Sequence, residues 1–201
     1  MNRLFLAFAT IAFSAVPAFA GDGKLLTPFG MAISAGGGSG GFTSSTMTDL
    51  TDPAGMWGAR LTFGTRAVVG FDATYLGGLQ AIDALGLDVD AMLLSTAVQG
   101  DVRFNFLRPF SHSPLQPFLF IGAAWKHYDV TNANVNLSSV GDADALFEMP
   151  MGGGFFYTVE RFIIDIRGSY NPAWNADLVR SAEEGSGMAT WTANLQLGYE
   201  F

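Results

Sequence analysis

Apolar and polar residues alternate along most of this chain, and the alternation is cleanest over residues 189–201. Ala189, Trp191, Ala193, Leu195, Leu197, Tyr199 and Phe201 fall on one face, and Thr190, Thr192, Asn194, Gln196, Gly198 and Glu200 on the other. A period of two over that length predicts a β-strand with one dry and one wet face. The same pattern recurs in earlier segments separated by turn-like clusters. Residues 29–42 carry Phe29, Met31, Ile33 and Ala35 on one face and then become glycine-rich. Residues 55–64 set Trp57, Ala59, Leu61 and Phe63 against Gly58, Arg60 and Thr62. After a short turn at Thr65 and Arg66, Val69, Phe71, Ala73 and Tyr75 alternate with Gly70, Asp72 and Thr74. A fourth strand opposes Leu94, Thr96, Val98, Val102, Phe104 and Phe106 to Ser95, Gln99, Asp101, Arg103 and Asn105.

The fifth strand, residues 117–128, is apolar on both faces; turning Leu119, Ile121, Ala123 and Trp125 outward leaves Phe118, Phe120 and Lys126 inside. The sixth sets Phe147, Met149, Met151, Phe155 and Tyr157 against Glu148 and Pro150. The seventh sets Phe162, Ile164, Ile166 and Tyr170 against Asp165, Arg167, Ser169 and Asn171, and residues 189–201 make the eighth. Connections after strands two, four and six are short or proline-bearing, and those after strands one, three, five and seven are longer. An even number of strands with turns alternately short and long predicts an all-β, eight-stranded antiparallel up-and-down transmembrane β-barrel. Each spanning strand needs only about 9–11 residues. Every strand charge lies opposite the apolar set: Arg60, Asp72, Asp101, Arg103, Lys126, Glu148, Asp165, Arg167 and Glu200. These are predicted to form a lumen charge network, since Arg or Lys on the lipid face costs about 2–4 kcal/mol near mid-membrane.

The N-terminus adds an address. Arg3 precedes a short apolar core at residues 4–16, and Ala18-Phe19-Ala20 has the small-x-small form of a cleavage site, with Ala18 and Ala20 as its small positions. That core is too short to span as a helix, which needs roughly 20 residues. Residues 1–20 are therefore read as a signal peptide and 21–201 as one barrel domain. Without Arg3, nine basic and eighteen acidic residues remain, a poor balance for nucleic acid, which calls for a basic patch. No cysteine is present, so disulfides, thiolate catalysis, most zinc sites and a lipid anchor at the cleavage site are all excluded. No cofactor is expected.

Four segments carry a family resemblance: AVVGFDATYLGG at 67–78, QGDVRFNFLRP at 99–109, QPFLFIGAAW at 116–125 and WTANLQLGYEF at 191–201. With these the chain resembles the OmpA-like, or opacity-protein-like, small outer-membrane β-barrels over essentially all of residues 21–201. The resemblance implies the outer membrane of a Gram-negative bacterium. The expected partners are outer-membrane lipids, lipopolysaccharide and the barrel assembly machinery, and the expected state is a monomer. It also implies that Phe201, with Tyr199 and Leu197 before it, is the assembly signal. The chain given stops at the barrel, so a peptidoglycan-binding tether is not expected.

The candidate chemistry is sparse. An eight-stranded barrel is just wide enough for side chains to fill, so nearly balanced lumen charges favour a plugged barrel over an ion-selective pore. The glycine run at 36–41 lacks the Lys-Ser/Thr of a phosphate loop and reads as a flexible strand end and loop. Gly152, Gly153 and Gly154 read as relief of crowding or a bend. A lipid A-modifying enzyme would need a histidine with a nearby serine and carboxylate. His112, between Ser111 and Ser113, falls in a periplasmic turn, and His127 lies near the outer rim. The outer loops are acidic, with Asp49, Asp52, Asp83, Asp88, Asp90, Asp129, Asp142, Asp144, Asp177, Glu183 and Glu184 against Arg180. Solvated loop tips are one reading, and divalent-cation contact at the lipopolysaccharide surface is the sharper one, since hard cations want oxygen ligands. The leading expectation is a non-enzymatic structural or cell-surface interaction protein, and the alternative is a narrow porin-like channel. Two aromatic girdles are expected: Trp57, Tyr75 and Trp191 outside, and Phe63, Phe104, Phe106, Tyr157, Phe162, Tyr199 and Phe201 on the periplasmic side. Pairing Gly64 with Val68 across the second turn would set Arg60 opposite Asp72 as a cross-strand ion pair.

Overall fold

The computed structural model describes residues 29–82, 91–106, 114–131, 143–174 and 188–201. Ten segments pair antiparallel: β1 (Met31–Phe42), β2 (Ala54–Phe63), β3 (Val69–Ala81), β4 (Met92–Asn105), β5 (Leu115–Thr131), β6 (Ala143–Glu148), β7 (Met151–Val159), β8 (Phe162–Asn171), β9 (Ala173–Trp174) and β10 (Thr190–Glu200). They make eight staves, because β6 and β7 are one stave broken at Met149-Pro150, and β8 and β9 another broken at Pro172. A one-turn helix, α1 (Ser45–Thr48), lies between β1 and β2, and the Ser44 hydroxyl caps it by accepting from Met47 N.

The wall closes. A path through paired residues leaves β5 at Pro117 and passes Phe155, Ile166, Leu195, Gly37, Trp57, Gly77 and Thr96 before it meets β5 again at His127. The stagger is 127 − 117 = 10 residues along β5. Eight staves with that stagger tilt by roughly 40° and enclose an interior that side chains can fill. All residues on this path point outward. The next residues along each stave point inward, so faces assigned from alternation hold around the whole wall.

Large apolar side chains coat the outside, including Phe71, Val98, Leu119, Phe155, Ile166, Leu195 and Leu197. The packed interior is mixed. A lower apolar cluster joins Ala32, Phe118, Phe120, Phe156 and Ile163. An upper one joins Phe42, Met47, Ile82, Ala91, Leu93, Tyr128, Leu146, Ala173 and Met188 across the mouth opposite Met31 and Glu200.

Two local expectations are corrected. The glycine run at 36–41 is not a flexible loop: all six residues pair with β10, and residues 36–40 pair with β2 as well. A Cβ on Gly36 or Gly38 would lie 2.1 or 2.0 Å from the carbonyl oxygen of Leu195 or Ala193. Only glycine allows that approach, so the run shapes the wall. The second correction is register. Arg60 pairs with Thr74 and Asp72 with Thr62, two residues from the expected alignment. Gly64, at φ 76°, is not held by Val68; its N–H donates to Gly30 O at 2.8 Å. Thr65 donates its hydroxyl to Glu200, and Arg66 Nε donates to the same carboxylate at 3.2 Å. Contacts to Gly30 and Glu200 therefore set the turn, and a two-strand argument cannot see them.

Candidate functional site

The nine ionisable residues expected in the lumen are all buried there. They fall into three tiers because they sit at different positions along tilted staves. The largest tier unites β2, β3, β4, β8 and β10. Arg60 Nη1 donates to Asp165 Oδ2 at 3.1 Å and to Gln196 Oε1 at 2.8 Å, while its Nε donates to Thr74 Oγ1 at 3.0 Å. Arg167 Nε and Nη2 donate to the two oxygens of Asp165 at 3.1 and 2.6 Å. The third nitrogen of Arg167 reaches Asp72 Oδ2 at 3.1 Å. Arg103 pairs with Asp72 Oδ1 at 3.8 Å. Asp101 lies directly across the β3–β4 ladder from Asp72 and accepts from Gln99 Nε2 at 2.8 and 2.9 Å. Asp72 and Arg60 thus share a tier without pairing: Asp72 takes Arg167 and Arg103, and Arg60 takes Asp165.

Aromatic faces complete this tier. The Arg167 guanidinium lies 4.9 Å from the Phe118 ring centre and 5.1 Å from that of Phe120, and Arg103 lies 5.1 Å from Phe156. Rings and guanidiniums attract most strongly when water is excluded, and Arg103 is only 1% exposed. Toward the mouth at Met31 and Glu200, Glu200 holds Thr65 and Arg66, while Asn105 Nδ2 donates to Ala67 O at 2.8 Å. Toward the other mouth, Lys126 Nζ donates to Glu148 Oε1 at 3.1 Å, which also accepts from Thr190 Oγ1 at 3.1 Å. Buried inside the wall, five carboxylates (Asp72, Asp101, Glu148, Asp165, Glu200) face four cations (Arg60, Arg103, Lys126, Arg167), and Arg66, 37% exposed at the rim, bonds Glu200. The buried charges are thus nearly balanced among the described residues.

No protein-family model matches the chain, and no curated protein matches it. Solved structures do. The barrel of Neisserial surface protein A aligns at TM-score 0.54 and 14% identity over 85% of this chain and 95% of that one. The N-terminal β-barrel domain of Pseudomonas aeruginosa OprF aligns at 0.54 and 16% over 86% and 98%. The attachment invasion locus protein Ail of Yersinia pestis aligns at 0.55 and 11% over 86% and 98%; Ail has also been solved with a heparin analogue, sucrose octasulfate. The fold is that of the small outer-membrane β-barrels.

Outer-membrane barrels of this kind turn apolar residues outward and polar ones inward, and this chain does the same. Among described strand residues, His127 and Asp129 are the only Asp, Glu, His, Lys or Arg side chains on the outward face. They bond to each other at 3.2 Å, with the His127 ring stacked on Trp125. Trp57, Tyr75 and Trp191 all face outward, as do Phe104, Phe106, Tyr157 and Phe162. At the opposite end Tyr199 stacks edge-on against both Phe162 and Phe201. Leu197, at 62%, is among the most exposed side chains.

Ala18, Ala20, His112 and the acids at 83, 88, 90, 142, 177, 183 and 184 lie outside the described residues. Sequence reasoning missed the neutral members of the network, Ser34, Gln99, Gln196, Asn171 and Thr190. Their signal was present, since all occupy the wet face of an alternating strand. It also missed the apolar roof made by Met47, Leu93 and Leu146. Inward Leu93 and Leu146 break the polar-inside pattern at the strand ends, and alternation alone does not distinguish that from a frayed strand.

Proposed function

We propose that this protein is a non-enzymatic integral protein of a Gram-negative outer membrane, with a structural or cell-surface interaction role and a lumen that does not conduct. The observation that carries this reading is a buried, bonded interior of nearly balanced charge, five carboxylates against four cations, with Arg66 bonded to Glu200 at its rim. An ion-selective path needs an uncompensated ring of one sign and room for water, and the Arg–Asp–Phe tier supplies neither. Reconstitution in planar bilayers tests it: no stable open state is expected, and a large, ion-selective conductance would overturn the plugged interior in favour of a narrow porin-like channel.

The partners follow from the surface. The outward wall fits lipid chains, and the side bearing Asp49, Asp52, Asp129 and Asp144 fits lipopolysaccharide through divalent cations. That sign opposes a sulfated polyanion of the kind solved with Ail. Leu197, Tyr199 and Phe201 form an outward apolar edge that suits recognition by the assembly machinery, after cleavage behind Ala18-Phe19-Ala20. Catalysis is not part of this reading: His127 bonds Asp129, and among the described residues no serine bonds to it.

A further inference from the structure

The outward face carries one feature that contact with hydrocarbon does not require. Val98, Trp125, Phe147 and Trp174 lie directly opposite one another in turn across β4, β5, β6 and β9, so three aromatic side chains stand in a row. Phe147 is 55% exposed and Trp174 49%. The row runs square to the tilted staves and therefore climbs by roughly 3 Å per stave. It ends well above the girdle. Register is unbroken from Met151–Tyr170 to Phe147–Trp174, which puts Trp174 four residues beyond the outward Tyr170, roughly 10 Å higher. On other staves the aromatic pattern stops: above Trp57, Tyr75 and Trp191 the next outward positions are Gly55, Gly77 and Ala189.

A phospholipid headgroup layer is only about 5–7 Å deep on each side of the hydrocarbon. Trp174 thus stands past the depth at which interfacial aromatic rings settle. With Phe147 beside it, it forms an exposed apolar surface of the kind that marks a binding face.

The polar neighbours decide the chemistry. His127 stacks on Trp125, with ring centres 6.0 Å apart and planes 7° from parallel, and its Nε2 bonds Asp129 Oδ1 at 3.2 Å. No Lys or Arg accompanies this pair on the outward strand face among the described residues, so a phosphate or sulfate finds no counter-charge there. A neutral sugar is better matched. Aromatic faces carry negative charge and attract the C–H side of a pyranose ring, and the half-exposed Asp129 carboxylate accepts from hydroxyls. Asp129 lies four residues along β5 from Trp125, roughly 13 Å, so a chain of about two or three sugars spans the patch.

We propose that this shelf binds a neutral oligosaccharide of the surrounding lipopolysaccharide. One pyranose lies against Trp174 and Phe147, and a hydroxyl of a further sugar donates to Asp129. The lipid-facing wall continues upward into the shelf, so the sugar is presented by a lipid whose acyl chains already cover the barrel below. This rests on the lipopolysaccharide reading above, but the sugar contact uses no divalent cation.

Isothermal titration of the full chain, folded in detergent, compares two ligands: lipopolysaccharide with a neutral hexose core, and a form truncated to lipid A and its acidic inner sugars. The hexose-bearing form should bind about tenfold more tightly, and EDTA should leave that ratio unchanged. Trp174→Leu and, separately, Asp129→Ala should each lower the ratio, whereas Trp57→Leu in the girdle should not. Both shelf side chains are half-exposed, so each variant should keep the parent's mobility shift on boiling. Equal binding of the two forms by the parent, a ratio that vanishes in EDTA, or an equal fall in Trp57→Leu would overturn the proposal. So would self-association lost in Trp174→Leu with the ratio unchanged, since a second copy would then cover the rings. Failure of the parent to bind either form would overturn the lipopolysaccharide reading beneath it as well.

Discussion

Asp165 is the point at which the interior should be most sensitive. It is fully buried and accepts three hydrogen bonds from two guanidiniums, Arg60 at 3.1 Å and Arg167 at 3.1 and 2.6 Å. Asp165→Asn changes its tier from three acids and three bases to two and three, and turns an amide N–H₂ toward a guanidinium. Removing one partner of a buried ion pair costs about 3–5 kcal/mol, because the other charge stays behind. The double variant Asp165→Asn/Arg167→Gln restores balance, with Asp72 still 3.8 Å from Arg103. It should therefore be more stable than the sum of its parts by about 1–3 kcal/mol. Urea unfolding in phospholipid vesicles, followed by tryptophan fluorescence, reads both values. A single variant within about 1 kcal/mol of the parent, or an additive double variant, would refute the argument that these charges stabilise as a network.

Three further substitutions probe the wall. Gly154→Ala would place a Cβ 2.1 Å from Ile166 O and 2.8 Å from the Phe118 ring. The folded fraction on a gel should collapse, whereas Gly100→Ala, with nothing within 4 Å, should leave it unchanged. Ile166→Arg, on the lipid face, should lower unfolding stability in vesicles by about 2–4 kcal/mol; a smaller loss would mean that this face is not in hydrocarbon.

The outward and inward faces were legible in the sequence because strand side chains alternate by geometry, and lipid on one side forbids charge there. That reasoning turned Lys126 inward even though Phe118 and Phe120 came with it. What it could not supply was which carboxylate meets which guanidinium. Asp72 meets Arg167 from a non-adjacent stave, and that contact exists only once the wall has closed with its ten-residue stagger. Arg60 was assigned to Asp72 from a local hairpin rule, but Gly30 and Glu200 hold that turn from residues far along the chain. The glycine run at 36–41 was misread for a related reason. Composition suggests freedom, while the neighbouring carbonyls of Leu195 and Ala193 show close approach. Pro150 and Pro172 were visible as letters, but their place on two neighbouring staves became clear only in three dimensions.

The central claim is a closed barrel embedded in the outer membrane, and membrane fractionation followed by electrophoresis with and without boiling tests it most directly. The protein should sediment with outer membranes, resist detergent unfolding at room temperature and change mobility on boiling, since its eight staves leave no free edge to fray. Recovery from the soluble periplasmic fraction with one mobility at both temperatures would contradict the account.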